Sequence, residues 1–375
     1  MKNIRLCVCL LLFLALCFLT SCASRIKPEA VNQFERIELK TEKATKEEWE
    51  RIKVDDNFSY VSDFNHSNYS SDNEEHYFIR FYYQDKLIYE EYSKDTSFLL
   101  DDTKTFDDQL FYAYTDNDDI DFKKCTVYCL VANKDGLINR FSLEGNYTCI
   151  GIALSEDFCY FLVINRVDSS HLLIKTDKIG NLLSTVSLDK KFLSLYYFNN
   201  ELYTTNFETN SEGDYVDEIY LLNEDGTYNL ITVMPGYAKI SFNNNLEAFS
   251  YCISDNKYKF YKYSNNELKL LTEFELKCYK ENDETEKINY TYKGFIHSNN
   301  KYYLAYEING AKTINFYNKM IVMVYDELED KLNIFYDDSD SEKVLVRNET
   351  IFFGKYTNDS TNKTSDGKFK KIILT

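Results

Sequence analysis

The segment Lys191–Met234, KFLSLYYFNNELYTTNFETNSEGDYVDEIYLLNEDGTYNLITVM, sets the architecture of this chain. Its runs of aromatic and β-branched residues are separated by Asn, Asp and Gly, so the segment predicts four short strands joined by tight turns. A meander of this length cannot bury both of its faces alone, and it therefore requires stacked neighbours of the same kind. Its turns at Asn199–Asn200 and Asp225–Gly226 are the markers by which those neighbours are found.

The first marker is an apolar residue, two or three of Asn, Asp, Ser or Glu, and an apolar or aromatic restart. Its copies, 44–55 residues apart, are VDDNFSY from Val54, FDDQLFY from Phe106, LSEDFCY from Leu154, FNNELYT from Phe198, FNNNLEA from Phe242, HSNNKYY from His297 and VRNETIF from Val346. The second marker alternates with it at Gln84–Asp85, Asp135–Gly136, Gly180–Asn181, Asp225–Gly226, Asn265–Asn266 and Glu329–Asp330. Because the two markers alternate regularly along the chain, they predict an all-β fold. The expected fold is a β-propeller of seven four-stranded blades, with six or eight blades as alternatives.

The N-terminal residues have the pattern of an export signal. Two basic residues precede the apolar run Leu6–Leu19, which is short for a membrane span and suits the hydrophobic region of a signal peptide. The run ends in Leu19-Thr20-Ser21-Cys22, which resembles the lipobox of bacterial lipoproteins. An ordinary signal peptide cleaved one or two residues after Cys22 is the alternative.

With this tetrapeptide and its repeats, the mature chain resembles bacterial envelope lipoproteins that carry a β-propeller domain. The resemblance implies that residues 1–21 are removed and that Cys22 becomes the lipidated N-terminus, carrying fatty-acyl chains such as palmitate. Residues 22–32 would then form a tether, and residues 33–375 the propeller domain. The expected location is the extracytoplasmic side of the cell membrane or the outer membrane, held by the lipid anchor.

The acidic composition restricts the partners. The chain has 61 acidic and 43 basic residues, for a net charge of −18. Such a surface argues against binding to nucleic acid and against adhesion to anionic lipid headgroups. The expected partners are the membrane, through the lipid anchor, and a protein or glycan of the cell envelope.

The last repeat supplies three predicted strands and needs a fourth. Residues 33–40, QFERIELK, are available, and we expect this N-terminal strand to complete the last blade and cover its open edge. Residues 45–53 have two interpretations. Thr45 and Glu48 have the spacing of a helix capping box, whereas the phase of the repeat favours a strand from Trp49.

The connections predict one simple end and one elaborate end of the propeller. The turns between first and second and between third and fourth strands are short, and we call the end where they lie the short-turn end. The second-to-third and blade-to-blade connections emerge at the opposite, loop-rich end, and they include 65–75, 115–123, 209–216, 277–288 and 357–368. Long loops on a rigid scaffold are where binding residues concentrate, so we expect the binding surface there.

Six cysteines follow Cys22, and their pairing cannot be deduced from the sequence. They are Cys125, Cys129, Cys149, Cys159, Cys252 and Cys278. Six cysteines allow 15 connectivities. Cys125 and Cys129 are too far apart along one strand to form a disulfide, and buried thiols explain the set at least as well as bridges do.

The sequence offers few catalytic or metal-binding patterns. The acidic run Asp116, Asp118, Asp119 and Asp121 is a weak candidate for calcium, because Ile120 stands where the EF-hand template needs a ligand. Solvated acidic loops are the ordinary explanation. We find no paired-histidine zinc motif, no GxSxG, no P-loop and no GxGxxG, so no catalytic residue and no cofactor is nominated.

These observations favour a non-enzymatic binding or scaffolding module that uses the loop-rich end. A glycan-active hydrolase or lyase with its site over the central channel is one alternative, and a solute-sensing accessory of a transporter or signalling system is another. An aromatic patch at the loop-rich end would favour binding, whereas a carboxylate cluster with raised pKa would favour catalysis. Loop tyrosines such as Tyr69, Tyr215 and Tyr279 could stack on sugar rings.

Overall fold

The structure is a computed structural model, and it describes most of the chain after residue 33. The described residues are 34–62, 77–93, 99–117, 124–243, 245–254, 257–276, 278–280, 283–288, 290–308, 320–336, 343–347, 349–357 and 366–374. They fall into two compact units, one comprising the described residues of 34–44, 275–357 and 366–374, the other those of 45–274.

The fold is a β-propeller with seven blades, as the sequence predicts. The chain begins with two short strands and one helix, which are β1 (Glu35–Arg36), β2 (Thr41–Ala44) and α1 (Lys46–Glu50). Blade one consists of β3 (Ile52–Lys53), β4 (Phe58–Ser62), β5 (Tyr77–Tyr83) and β6 (Lys86–Ser93). Blade two consists of β7 (Leu99–Phe106), β8 (Gln109–Asn117), β9 (Cys125–Asn133) and β10 (Gly136–Ser142).

The next three blades repeat this antiparallel order. Blade three consists of β11 (Tyr147–Leu154), β12 (Phe158–Asn165), β13 (His171–Asp177) and β14 (Leu182–Leu188). Blade four consists of β15 (Ser194–Phe198), β16 (Glu201–Thr209), β17 (Tyr215–Leu222) and β18 (Tyr228–Pro235). Blade five consists of β19 (Tyr237–Asn243), β20 (Asn245–Ser254), β21 (Lys257–Ser264) and β22 (Glu267–Phe274).

The two remaining blades belong to the other compact unit. A hairpin of β23 (Cys278–Lys280) and β24 (Asp283–Ile288) precedes them, so the expected irregular connection at 277–288 contains a small sheet. Blade six consists of β25 (Tyr290–Ser298), β26 (Lys301–Ile308), β27 (Met320–Asp326) and β28 (Lys331–Tyr336). Blade seven contains β29 (Lys343–Arg347), β30 (Thr350–Thr357) and β31 (Asp366–Ile372).

An N-terminal strand completes blade seven, but it is not the predicted one. β2 pairs antiparallel with β31, from Thr41 opposite Ile372 to Ala44 opposite Phe369. Within residues 33–40, β1 adds instead to the outer edge of blade six, parallel to β28. Ile37 and Leu39 pack on the apolar core between blades six and seven without joining a ladder. The outermost strand of a blade buries little, so the polar segment TEKA serves there although its pattern lacks apolar residues.

The preference for a strand from Trp49 is wrong. Thr45 caps α1, because its hydroxyl accepts from Glu48 N at 3.1 Å and its own N–H donates to Glu48 Oε2 at 2.7 Å. This reciprocal pair satisfies two backbone donors that a helix start otherwise leaves open. The strand that continues the repeat begins at Ile52, after one turn of helix that buries Trp49.

The turn markers fold as predicted. Paired residues with positive φ form the two-residue hairpins, for example Asn199 (φ 51°) with Asn200 (φ 65°) and Asn265 (φ 53°) with Asn266 (φ 62°). Asn tolerates the left-handed region better than most residues, and such turns match the twist of the flanking strands. The tolerance of these residues for positive φ therefore determines the hairpins at the short-turn end.

The apolar core consists of clusters between neighbouring blades. Each strand alternates its side chains between the two faces of its sheet, so a blade contributes to the cluster on either side. Each cluster contains residues of two neighbouring blades, for example Phe81 and Tyr112, Phe111 and Phe161, Leu162 and Tyr220, Ile219 and Ala248, or Ala305 and Phe353. A single four-stranded meander therefore needs a blade on each side to bury both of its faces.

Candidate binding cleft between blades four and five

A cleft of about 570 Å³ lies at the loop-rich end of blades four and five. It arises because Gly236 alone joins β18 to β19, while the hairpins on both sides extend further. β20 continues to Ser254, three residues beyond the last pair with β19 at Tyr251. The lining residues are Asn210, Gly213, Asp214, Tyr215, Val216, Pro235, Gly236, Tyr237, Tyr251, Cys252, Ile253, Ser254, Lys259 and Tyr261.

Gly236 forms the base of the cleft, and any other residue would be strained at this position. Its φ is +72°, and a Cβ there would lie 2.0 Å from Tyr251 O and 2.8 Å from Cys252 Cβ. Its N–H donates to Tyr215 O at 2.8 Å, which ties the link to blade four. A glycine in the left-handed region therefore lets the two blades approach closely.

The loop on the blade-four side is held by its own hydrogen bonds. Asn210 Oδ1 accepts from the N–H groups of Glu212 and Asp214, each at 2.9 Å. Asn210 N donates to Asp214 O at 2.9 Å, and Gly213 N donates to Asn210 O at 3.0 Å. An Asn side chain that bonds the backbone ahead of it is a common way to order a turn. The loop thus presents Tyr215 from a fixed position.

Three aromatic rings form a cluster at the cleft. Tyr237 stacks on Phe207 with ring centroids 4.7 Å apart, and Tyr215 stacks on Phe207 at 5.1 Å. Tyr215 and Tyr237 are each 57% exposed, although both are anchored on the same ring. Exposed aromatic rings in fixed positions are typical of binding surfaces, because they offer contact area at little cost in conformational entropy.

Polar groups complete the lining. Cys252 lies opposite Lys259 in the β20–β21 pair. Burial raises the pKa of the Cys252 thiol, and the charge of Lys259 opposes that shift. Burial also raises the pKa values of Tyr251 and Tyr261, so both phenols are protonated at neutral pH. The cleft therefore offers hydroxyl groups, one ammonium and one carboxylate, that of Asp214.

Beneath the cleft, a buried carboxylate links the two blades. Asp217 is 7% exposed, and its Oδ2 accepts from Ala238 N at 3.0 Å. Burial raises the pKa of Asp217 to about 6, and the neighbouring charge of Glu218 adds to the shift. In the described part of the chain, Asp217 Oδ1 and the buried Ser250 Oγ make no hydrogen bond. Neither residue lines the cleft, so their role is in the packing of the blades.

The structure tests only some of the predicted site residues. Cys22 and the calcium candidates Asp118, Asp119 and Asp121 lie outside the described residues. Asp116 is paired in the β8–β9 ladder, and the described residues contain no group of acidic, His or Cys side chains arranged to hold a metal ion. None of the described helices has the length and apolar character needed to cross a membrane.

Of the three loop tyrosines that could stack on sugar rings, the structure describes the side chain of one. Tyr215 is exposed at the cleft, whereas Tyr69 and the side chain of Tyr279 lie outside the described part. Sequence reasoning missed Phe207 and Tyr237. Both residues lie near strand ends at the loop-rich end. The phase of the repeat predicts that location, so it could have indicated them as candidates.

The cysteines with described side chains carry thiols. Four are buried in blades two and three, namely Cys125, Cys129, Cys149 and Cys159, and Cys252 is partly exposed. Burial raises the pKa of Cys159 to about 12 and that of Cys129 well above its usual value. These two behave as small apolar side chains, which agrees with buried thiols rather than disulfide bridges.

Comparison with known proteins indicates fold alone. No protein-family model matches the chain, and no curated protein is significantly similar to it. The β-propeller domain of the Trilobed protease from Pyrococcus furiosus is 10% identical, with a TM-score of 0.46 over 80% of this chain and 88% of that one. An oligogalacturonate lyase in complex with manganese is 10% identical, with a TM-score of 0.45 over 80% and 83% of the two chains.

An acylaminoacyl peptidase from Pyrococcus horikoshii is 13% identical, with a TM-score of 0.41. The match covers 68% of this chain and 42% of the peptidase, so the chain spans less than half the length of that enzyme.

Proposed function

We propose that this chain is a lipid-anchored, extracytoplasmic binding module whose ligand occupies the cleft between blades four and five. The observation that carries the proposal is the pair of half-exposed tyrosines, Tyr215 and Tyr237, stacked on Phe207 beside that cleft. Rings that are fixed and exposed at the same time are prepared for a partner before it arrives, which lowers the entropy cost of binding.

The distribution of carboxylates supports binding over hydrolysis. Among the described lining residues, Asp214 alone is acidic. Asp217 has a raised pKa, yet it accepts from Ala238 N and does not line the cleft. Glycoside hydrolysis ordinarily requires two carboxyl groups about 5–10 Å apart across the scissile bond. The lining residues that the structure describes do not offer that pair.

The route of the chain into blade six supports an anchor at the short-turn end. β1 runs parallel to β28, which starts directly after the short turn from β27. Glu35 pairs with Lys331, the first residue of β28, at 2.6 Å. The chain therefore enters β1 from the short-turn end of blade six. The predicted tether, residues 22–32, reaches at most about 40 Å, and it would leave the loop-rich end of this blade facing away from the membrane.

The lipid anchor itself rests on the lipobox. Metabolic labelling with radioactive palmitate tests it in cells that produce the full chain. We expect label in the full chain and in Cys252→Ser, and none in Cys22→Ser. Label that persists in Cys22→Ser, or is absent from the full chain, contradicts the anchor.

Occupancy of the cleft can be read from Cys252, the partly exposed thiol in its lining. The full chain, purified in detergent, is treated with a small maleimide in the presence and absence of a solubilised envelope fraction. Mass spectrometry then quantifies the label on the peptide that contains Cys252. We expect the envelope fraction to slow this labelling, because a bound ligand covers the thiol.

Two variants make the test specific. Tyr237→Ala removes an exposed ring of the cleft, and we expect it to abolish the protection. Tyr92→Ala removes a ring that is 50% exposed on blade one, outside the cleft, and should leave the protection intact. An envelope fraction that leaves the labelling of Cys252 unchanged contradicts the proposed function.

A further inference from the structure

We infer that the ligand of this cleft is a neutral short oligosaccharide, whose sugar rings stack on Tyr215 and Tyr237. The inference rests on the proposed function and names the class of ligand that the cleft would take. Four observations lead to it: the exposed rings, the kind of polar groups beside them, the balance of charge, and the shortness of the strand edge that the described cleft walls offer to a peptide.

The rings suit a pyranose better than a flexible apolar chain. One face of a pyranose is a plane of C–H groups, which packs on the electron-rich face of an aromatic ring. Tyr215 and Tyr237 lie 6.5 Å apart between ring centroids, with 31° between their planes. Two rings at this spacing offer a continuous aromatic surface, while their phenol groups remain available to hydroxyl groups.

The polar lining matches ligands that both donate and accept hydrogen bonds. The oxygen of the Asn210 side chain is used within its loop, so this residue offers its amide N–H groups as donors, and Tyr261 keeps its phenol proton at neutral pH because burial raises its pKa. A sugar hydroxyl group can both donate and accept a hydrogen bond, so it can pair with an amide N–H or with a phenol. A lipid tail offers no acceptor to the amide of Asn210, at a cost in free energy.

The charges of the cleft indicate a neutral ligand. Among the described lining residues Lys259 alone is cationic, and its ammonium lies 3.8 Å from Glu273 Oε2. Asp214 supplies the one acidic side chain of the described lining. A phosphate or polyanion requires several cations, and the acidic chain repels it further. A polycation would require several carboxylates, which this lining does not provide.

A peptide is disfavoured by the backbone of the cleft walls. Peptides that bind to sheets usually add a strand to an exposed edge. Here Gly236 N donates to Tyr215 O and Gly213 N donates to Asn210 O, and the part of β20 that extends beyond its last pair with β19, residues 252–254, is a short edge for an added strand. The volume, about 570 Å³, is within the usual range of small-molecule sites, roughly 300–1,000 Å³.

Titration calorimetry with three neutral trisaccharides tests the inference on the full chain in detergent. The probes are maltotriose, cellotriose and chitotriose. We expect one of them to bind, with its affinity reduced about tenfold or more in Tyr215→Ala and Tyr237→Ala, since each loses a stacking surface. Tyr215→Phe keeps the ring and should stay within about threefold of the wild type, as should Tyr92→Ala.

Two results overturn the inference. One is that none of the three probes binds at millimolar concentration. The other is that affinity falls equally in Tyr237→Ala and Tyr92→Ala. If the envelope fraction still protects Cys252 while the trisaccharides fail to bind, the proposed function stands and the saccharide assignment falls. If both fail, the proposed function falls with it.

Discussion

The carboxylate of Asp217 accepts a hydrogen bond from the backbone N–H of Ala238 at 3.0 Å, and so links the third strand of blade four to the first strand of blade five. The same device occurs elsewhere in the chain. Thr115 Oγ1 accepts from Cys149 N, and Glu307 Oε2 accepts from Val344 N, each at 2.9 Å. Side-chain acceptors thus hold the inner strand of the following blade, and Asp217 does so directly beneath the cleft.

The raised pKa of Asp217 predicts that Asp217→Asn changes how stability depends on pH. The folded pKa, about 6, lies above the ordinary value of 3.8, so the folded chain binds the extra proton between these values. The contribution of this group is therefore present at low pH and is lost as the pH rises through about 6. Asp217→Asn keeps the acceptor for Ala238 N and cannot ionise. As the pH rises from about 4.5 to 7.5, the free energy of unfolding of the variant should increase relative to that of the wild type by on the order of 2 kcal/mol.

Urea denaturation at both pH values measures this difference, and Asp225→Asn is its control. The Thr227 hydroxyl and backbone lower the pKa of Asp225, so the stability that this residue contributes is lost as the pH falls. Because that loss occurs below the ordinary pKa of 3.8, Asp225→Asn should run nearly parallel to the wild type between about pH 4.5 and 7.5. Parallel pH profiles for the wild type and Asp217→Asn would contradict the prediction.

His171 predicts a loss of stability in acid. It is 6% exposed, and burial, followed by the charge of Lys191, lowers its pKa below the ordinary 6.5. The unfolded chain therefore binds the proton more readily, and stability falls as the pH decreases below about 6.5. We expect His171→Gln to lose less stability than the wild type between about pH 7.5 and pH 5 in urea titrations. The exposed His297 supplies the control, and an equal effect of His297→Gln would contradict a special role of burial at His171.

Gly236 and Gly213 are a matched pair for testing the base of the cleft. Both have positive φ, +72° and +86°, but a Cβ on Gly236 would overlap Tyr251 O, whereas a Cβ on Gly213 meets nothing within 4 Å. Gly213→Ala should cost only the backbone strain, about 1 kcal/mol. Gly236→Ala adds the overlap and should cost at least about 2–3 kcal/mol in urea denaturation. Equal losses in free energy of unfolding for the two variants would contradict the close approach of blades four and five at Gly236.

Thiol reactivity should separate the cysteines. Cys252 lines the cleft, while Cys129 and Cys159 are buried with raised pKa values. Because the thiolate is the reactive form, we expect maleimide to label Cys252 about tenfold faster or more than these two in the folded chain. In urea the rates should converge. Fast labelling of Cys159 in the folded chain would contradict its burial.

The short-turn end could be predicted from the sequence because its signals are local. Asn199–Asn200 and Asn265–Asn266 adopt the positive φ values that their hairpins require, whatever packs around them. The closing strand was predicted at the wrong position for a physical reason. Ile37 and Leu39 are apolar because they pack on a core from an irregular segment, while Thr41–Ala44 form the ladder at an outer edge where apolar residues are not needed.

The cleft depends on tertiary structure and could be predicted only in part. The loop-rich end was expected to hold the binding surface, and the loop that contains Tyr215 was among the candidates. The sequence pattern of β19 does not show that Tyr237 is exposed, because that exposure follows from a one-residue link at Gly236 between two longer hairpins. The role of Phe207 is missed for the same reason, since its two stacking partners, Tyr215 and Tyr237, come from the neighbouring strand and from the next blade.

Photo-crosslinking in living cells shows whether the cleft is occupied. Ile253 lines the cleft and is 50% exposed, so a benzoylphenylalanine at this position places a photoreactive group in its lining without removing either tyrosine. Leu268, 39% exposed on the same blade and outside the cleft, is the control position. We predict an adduct of defined mass after irradiation from position 253, lost when Tyr237→Ala is added, and none from position 268. No adduct from position 253, or the same adduct from both positions, would contradict binding in this cleft.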